Sequence, residues 1–191
     1  MSRSVDQKIS EEQSNFPEDI PTERVQALIH SVTVRITQQV AQINLQIGET
    51  PPYPEGDLCA VYTTIDGTYH ARLILCAERL FLQLMTENMP GSSMHHSDDL
   101  EEYSKEFFNI LCGRIVGEIC QANNAHATFQ PPRFTDDPSI LSGSYRKPSA
   151  LICFTSDRNE KVVILHDELQ VAVPLNQTIL KDREEHYIYE L

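Results

Sequence analysis

Residues 57–76, DLCAVYTTIDGTYHARLILC, decide the fold class. Two runs rich in β-branched and aromatic residues flank Asp66-Gly67. An Asp-Gly pair between such runs is a strong hairpin signal, because a tight turn between twisted strands needs residues that tolerate positive φ. A hairpin means antiparallel pairing. Upstream, Val25, Leu28, Ile29, Val32, Ile36 and Val40 recur near helical spacing behind Pro21 and Thr22. Ile43, Leu45 and Ile47 then alternate as a strand that ends at Gly48, and PPYPEG is a loop. Downstream, Cys76 to Asn88 carries Leu80, Leu84 and Met85 at helical spacing, and Pro90-Gly91 stops it. SSMHHSDD reads as a polar loop in which Asp98 or Asp99 caps a helix over about Leu100 to Ala122. After QPPRFTDDP, the runs SALICFTS, KVVILHD and LQVAVPL are strand-like, with a turn at Asp157-Arg158-Asn159-Glu160. NQTILKDREEHYIYEL fits no single element, and no internal repeat is visible. Helices followed by antiparallel strands make an α+β fold, an antiparallel-rich sheet packed with long helices, and not a doubly wound one.

The 191 residues suit one domain with tails, and 40% hydrophobic content is enough for a core. Residues 1–20 have few large apolar side chains and read as a disordered acidic tail. The domain is expected over 21–175, with 176–191 as a C-terminal extension. A formal net charge of −13 argues against nucleic acid or an anionic membrane as the main partner, since both select basic surfaces. Cys59, Cys76, Cys112, Cys120 and Cys153 form no CxxC pair and sit in or beside apolar runs, so a reduced, buried role is expected. No apolar run is long enough for a signal peptide or a membrane span, and the cytoplasm is the expected compartment.

The helix over 100–122 divides cleanly. With Glu106 at 0° and about 100° per residue, Phe107, Phe108, Leu111, Cys112, Ile115 and Ile119 fall between about 100° and 240° as a core stripe. Glu102, Glu106, Asn109, Gly113 and Gly117 fall within about 60° of the opposite pole. Each interior glycine costs a helix roughly 1 kcal/mol relative to alanine, so two on one line have a reason. They flatten the surface beside Asn109 and let another backbone approach. The plainer account is that they admit a neighbouring element of the same chain, and that Glu106 and Asn109 are only solvated.

Glu106-Phe107-Phe108-Asn109, followed by twenty-two residues and Pro132, resembles the signature of the CheC/CheX/FliY phosphatases of bacterial chemotaxis. That signature reads Asp or Ser, three residues, Glu, two residues, Asn, then twenty-two residues and Pro. Glu102 stands at its first position, a departure that keeps a polar group. Residues 56–89 resemble the family's strands and following helix, and NILCGRIVGEI resembles its site helix, with Gly113 at a familiar place after Asn109. The likeness spans about residues 22–175 and leans to CheX, because CheC carries two copies of the motif. A faint echo, Asp19…Glu23…Gln26, has no proline at the matching distance and reads as chance.

The resemblance implies a single CheX-like domain that hydrolyses the aspartyl phosphate of a phosphorylated CheY-type response regulator. Asn109 would orient the attacking water, and Glu106 would pair with the receiver's active-site lysine. Glu102 and Gly113 would border the partner, and Pro132 would be structural. No cofactor is implied in this chain, Mg²⁺ being expected on the receiver, and the CheX group implies a homodimer. Two other classes stay open: a CheX-like binding module without turnover, and an assembly protein related to flagellar switch components. His95-His96 beside Asp98-Asp99 reads as a solvated loop rather than a metal site, and Cys112 and Cys153 as core rather than nucleophiles.

Overall fold

The computed structural model describes residues 22–48, 57–90, 97–137 and 150–168. The expected tails, 1–20 and 176–191, lie outside them, as do LQVAVPL and His95-His96. At the centre, strand β3 (Ala71–Glu78) pairs antiparallel with β7 (Lys161–Glu168), from Ala71↔Glu168 to Ala77↔Val162. Both strands are apolar on both faces: Leu73, Leu75 and Ile164 belong to one cluster, Ile74, Val163 and Leu165 to another. β2 (Leu58–Gly67) lies outside β3, and β6 (Ala150–Ser156) outside β7. β1 (Leu45–Ile47) adds to β6, while β4 (Ala127–Phe129) and β5 (Arg133–Thr135) add to β2. The order β1-β6-β7-β3-β2-β4 is antiparallel throughout. Helices α1 (Thr22–Ala41), α2 (Arg79–Asn88) and α3 (Ser97–Asn123) all bury their apolar sides in the larger cluster. The α+β expectation holds.

Tertiary pairing moves several local boundaries. β3 runs on through Cys76 to Glu78, where helical spacing placed the start of α2, because Cys76 and Ala77 pair with β7 and Glu78 with Leu58. Asp66-Gly67 belongs to β2, and the chain reverses just after it, the last ladder pair being Ile65↔Ala71. The reason is β4, which pairs with Ile65, Asp66 and Gly67. Gly67 has φ +142°, and a Cβ there would meet the His126 carbonyl oxygen at 2.3 Å. Thr68 then clasps the same point: its N–H donates to the His126 carbonyl at 2.9 Å, and its hydroxyl accepts from the His126 N–H at 2.9 Å. α3 is described from Ser97 onward, so positions 98 and 99 are inside the helix rather than caps, at the end that favours acidic residues.

The sequence pattern missed β4 and β5 as strands. Each has three residues, with Gln130-Pro131-Pro132 between them. Phe129 lies opposite Ile65 and Arg133 opposite Tyr62, so three residues of this edge face two of β2. That is a bulge, a place where an edge tolerates prolines without a ladder N–H. Buried Thr63 repairs it by donating its hydroxyl to the Gln130 carbonyl at 2.6 Å. Pro131-Pro132 therefore makes a break within one edge rather than a turn between elements.

The topology also holds a two-fold relation that the sequence does not display. A helix and a short edge strand precede each inner hairpin: α1-β1 before β2-β3, and α3-β4 before β6-β7. Both helices end on a left-handed residue, Gln42 (φ 56°) and Asn124 (φ 49°), 82 residues apart. The same shift carries Leu45–Ile47 onto Ala127–Phe129.

His166 is 1% exposed and bonds the Tyr69 hydroxyl through Nε2, their rings stacked at 5.9 Å. Burial lowers its pKa to about 4, only partly opposed by neighbouring Asp167. The unfolded chain therefore takes up a proton near pH 6.5 that the folded chain refuses until about pH 4. Stability is complete above pH 6.5 and falls on acidification through this window, by on the order of 3 kcal/mol from this group. Urea titrations at pH 7, 5.5 and 4.5 measure it, and His166→Phe should flatten that part of the profile. Gly67→Ala should lower stability by about 1–3 kcal/mol, through both positive φ and the clash with β4. A neutral effect in the same urea assay would contradict the close approach.

Candidate functional site

α3 is built by the two stripes read from its sequence. Phe107, Phe108, Leu111, Cys112, Ile115 and Ile119 are all buried, at most 1% exposed, against the sheet and the other helices. Burial raises the Cys112 thiol well above its ordinary pKa, and burial pushes Cys76 up to about 12, so neither is poised as a nucleophile. Cys59, Cys76, Cys112 and Cys153 are free and buried, and Cys120 is free and half-buried. Opposite the core stripe, Glu102, Glu106, Asn109, Gly113 and Gly117 are all exposed.

Within that face the residues differ. Among the described residues, neither the Glu106 carboxylate nor the Asn109 carboxamide has a hydrogen-bond or ion-pair partner. They stand three residues apart, one helical turn, so both can address one object in front of the helix. Glu102 is engaged: Lys105 donates to it at 2.9 Å and to Glu101 at 3.0 Å. These hydrogen bonds, that to Glu102 foremost, raise the Lys105 pKa. At the first motif position the acidic group is thus engaged within its own helix, whereas Glu106 has no such pairing among the described residues.

The glycines answer the plainer account directly. A Cβ on Gly113 would touch only the edge of the Phe129 ring, at 4.0 Å, an ordinary contact. A Cβ on Gly117 would meet nothing within 4 Å. No described element needs either glycine in order to approach α3. Beside this line, Phe129 of β4 lies near Gly113, and half-buried Pro132 follows it in the Gln130-Pro131-Pro132 bulge. Among the described residues there is no group of three or more His, Cys, Asp or Glu side chains placed to hold a metal ion.

The two-fold relation provides an internal comparison. Shifted by 82 residues, Glu106, Asn109, Gly113 and Gly117 correspond to Arg24, Ala27, Ser31 and Arg35, all four exposed on α1. The geometry is repeated and the chemistry is not. Arg35 is tied across the helices to Glu118. The echo at Glu23 and Gln26 misses the equivalent positions by one residue.

No family model matches the sequence, and no curated protein matches it by sequence comparison. Solved structures do match the fold. A chemotaxis protein CheX from Desulfovibrio desulfuricans superposes with a TM-score of 0.60 at 11% identity, covering 76% of this chain and 99% of that one. CheX in a CheX–CheY–BeF3–Mg²⁺ complex from Borrelia burgdorferi gives 0.62 at 12% identity, over 74% and 95%. FliY from Thermotoga maritima gives 0.54 at 10% identity, over 85% and 98%. The three described helices on one face of the described seven-stranded antiparallel sheet are thus matched across nearly the whole of these domains, and the chain has the single-domain α+β fold of the CheC/CheX/FliY family.

Proposed function

We propose that this chain is a CheX-like phosphatase that hydrolyses the aspartyl phosphate of a CheY-type response regulator. One observation carries the reading: Glu106 and Asn109 stand exposed and unpartnered, one turn apart, beside a glycine line that no described part of the chain uses. The matched sequence signature and the existence of a solved CheX–CheY complex on the same fold support it.

The chemistry asks little of the protein beyond placement. Transfer of a phosphoryl group to water needs an in-line nucleophile and compensated charge. The Asn109 carboxamide oxygen accepts from the water while its nitrogen donates toward the water or the phosphoryl group. It positions without titrating. Glu106 pairs with the receiver's lysine and sets the docking register, as rim charges set orientation more than affinity. Gly113 and Gly117 let the receiver lie against the helix, which holds the amide more rigidly than a loop would. Mg²⁺ belongs to the receiver, Pro132 keeps the β4–β5 bulge, and Glu102 borders the partner through its Lys105 pair. We place this activity in the cytoplasm, with the chain acting as a homodimer. A second reading, a receiver-binding module without turnover, draws on that same pair, because Glu102 replaces the Asp or Ser of the signature and is already engaged.

Asn109→Ala should cut stimulated release of phosphate from a phosphorylated receiver by about 10²-fold or more, the size expected when one positioned polar group is lost. Stability should stay within about 0.5 kcal/mol of the parent, because the side chain is exposed and bonds no described residue. Receiver binding should persist. Phosphate release at the parental rate by this variant would end the mechanism, while binding by the parent without any stimulated release would establish the module reading.

A further inference from the structure

Arg114 on α3 is exposed and has no hydrogen-bond or ion-pair partner among the described residues. The helix offers it one. Glu118 stands four residues on, within reach of an i,i+4 pair, yet it bonds Arg35 of α1 instead. Ile110 and Leu111 lie one turn before Arg114, and Gly117, three residues after it, has no side chain. The helix dipole does not account for the charge either, because Arg114 lies well short of the last turn, which ends at Asn123. Lys105, the other cation of α3, is engaged with Glu101 and Glu102.

Its place on the helix gives that charge a geometry. Glu106, Ile110 and Arg114 follow one another at four-residue steps and so form one ridge along α3. Each step advances about 6 Å and turns about 40° around the helix. The ridge carries a carboxylate at one end, a half-buried aliphatic side chain in the middle and a guanidinium at the other end. The two charges stand about 12 Å apart along the axis. That exceeds the screening length at physiological salt, about 8 Å, so in water they do little for one another. A guanidinium presents its N–H donors as a planar fork that matches a carboxylate. A surface lying along this ridge is therefore favoured if it brings a cation to one end and a carboxylate to the other.

Resting on the phosphatase reading of Glu106 and Asn109, we propose that Arg114 is a second docking residue. It pairs with a carboxylate on the receiver surface about 12 Å from the lysine that meets Glu106. Two contacts of opposite sign set the direction in which the receiver lies along α3, and they reject a receiver with a basic residue at the Arg114 end. The competing account is that the arginine stem only covers Ile110.

The test uses the full chain and a CheY-type receiver, phosphorylated with acetyl phosphate for turnover and loaded with beryllofluoride for binding. Arg114→Glu should raise KM, and the Kd for the beryllofluoride form, by about tenfold or more, with kcat within about twofold of the parent. Arg114→Met, which keeps the stem and loses the charge, should raise both by about threefold, and Arg114→Lys should retain most of the parental affinity. One exposed Asp or Glu of the receiver, changed to Arg, should recover binding to Arg114→Glu. Arg24→Glu, the same charge change on the exposed face of α1, should leave KM within about twofold. Equal KM and Kd for Arg114→Glu and the parent overturn this proposal while the phosphatase reading stands. So do parental values for Arg114→Met, which reduce the side chain to a cover, and an equal rise in Arg24→Glu, which reduces it to overall charge. The absence of any rescuing receiver position also overturns the pairing. Where the parent binds without turnover, the Kd series decides. A parent that neither binds nor stimulates any receiver of its genome overturns both readings together.

Discussion

Everything in this molecule hangs on the pairing of β3 with β7. The two strands come from distant parts of the chain, and seven residue pairs join them at the middle of the sheet. Both are apolar on both faces, a pattern that is stable only if both faces are covered. The helices cover one face. The register also aligns the two inner hairpins about a common centre, so that α1-β1 and α3-β4 fall on opposite flanks. The position of α3 is a consequence: it packs over β2, β4 and β5, and its outer face is left to solvent.

That placement explains how a helix can carry two costly glycines. Glycine is normally retained in a helix where a neighbour approaches, and here no described residue approaches Gly117 and only the Phe129 ring comes loosely near Gly113. The core stripe compensates. Phe107, Phe108, Leu111 and Ile115 are fully sequestered, each contributing about 1.5–3 kcal/mol by burial. A helix anchored that firmly tolerates roughly 1 kcal/mol per glycine on its other side. The exposed face is therefore not needed to hold the helix in place.

How much was legible in the sequence follows from which interactions are local. The stripe and the polar line of α3 are readable because helical periodicity is a property of consecutive residues, and all eleven positions fall where the period puts them. The hairpin was readable as a hairpin, but not its turn, because Gly67 answers to His126, far along the chain. β4 and β5 were invisible because three residues beside two prolines have no period, and only the ladder on β2 and the Thr63 hydroxyl make them strands. The two-fold relation was equally hidden: it lives in topology and in two left-handed residues, not in side-chain identity.

That relation makes the asymmetry of the two helix faces informative. The fold places α1 and α3 in equivalent positions, so geometry alone gives each an exposed line of four corresponding residues. If the line on α3 were ordinary solvated surface, nothing would distinguish it from its counterpart except drift among polar residues. The difference is instead of kind. Arg24, Ala27, Ser31 and Arg35 are side chains that a surface helix accommodates at little cost, and Arg35 is spent on the contact with Glu118. Glu106, Asn109, Gly113 and Gly117 combine a carboxylate and a carboxamide with no partner among the described residues and two residues that weaken the helix. Stability alone does not select that set over its counterpart. Under the proposed function contact with a second molecule does, because the glycines remove bulk where the receiver would come close and the two polar groups stand at the edge of the space so cleared.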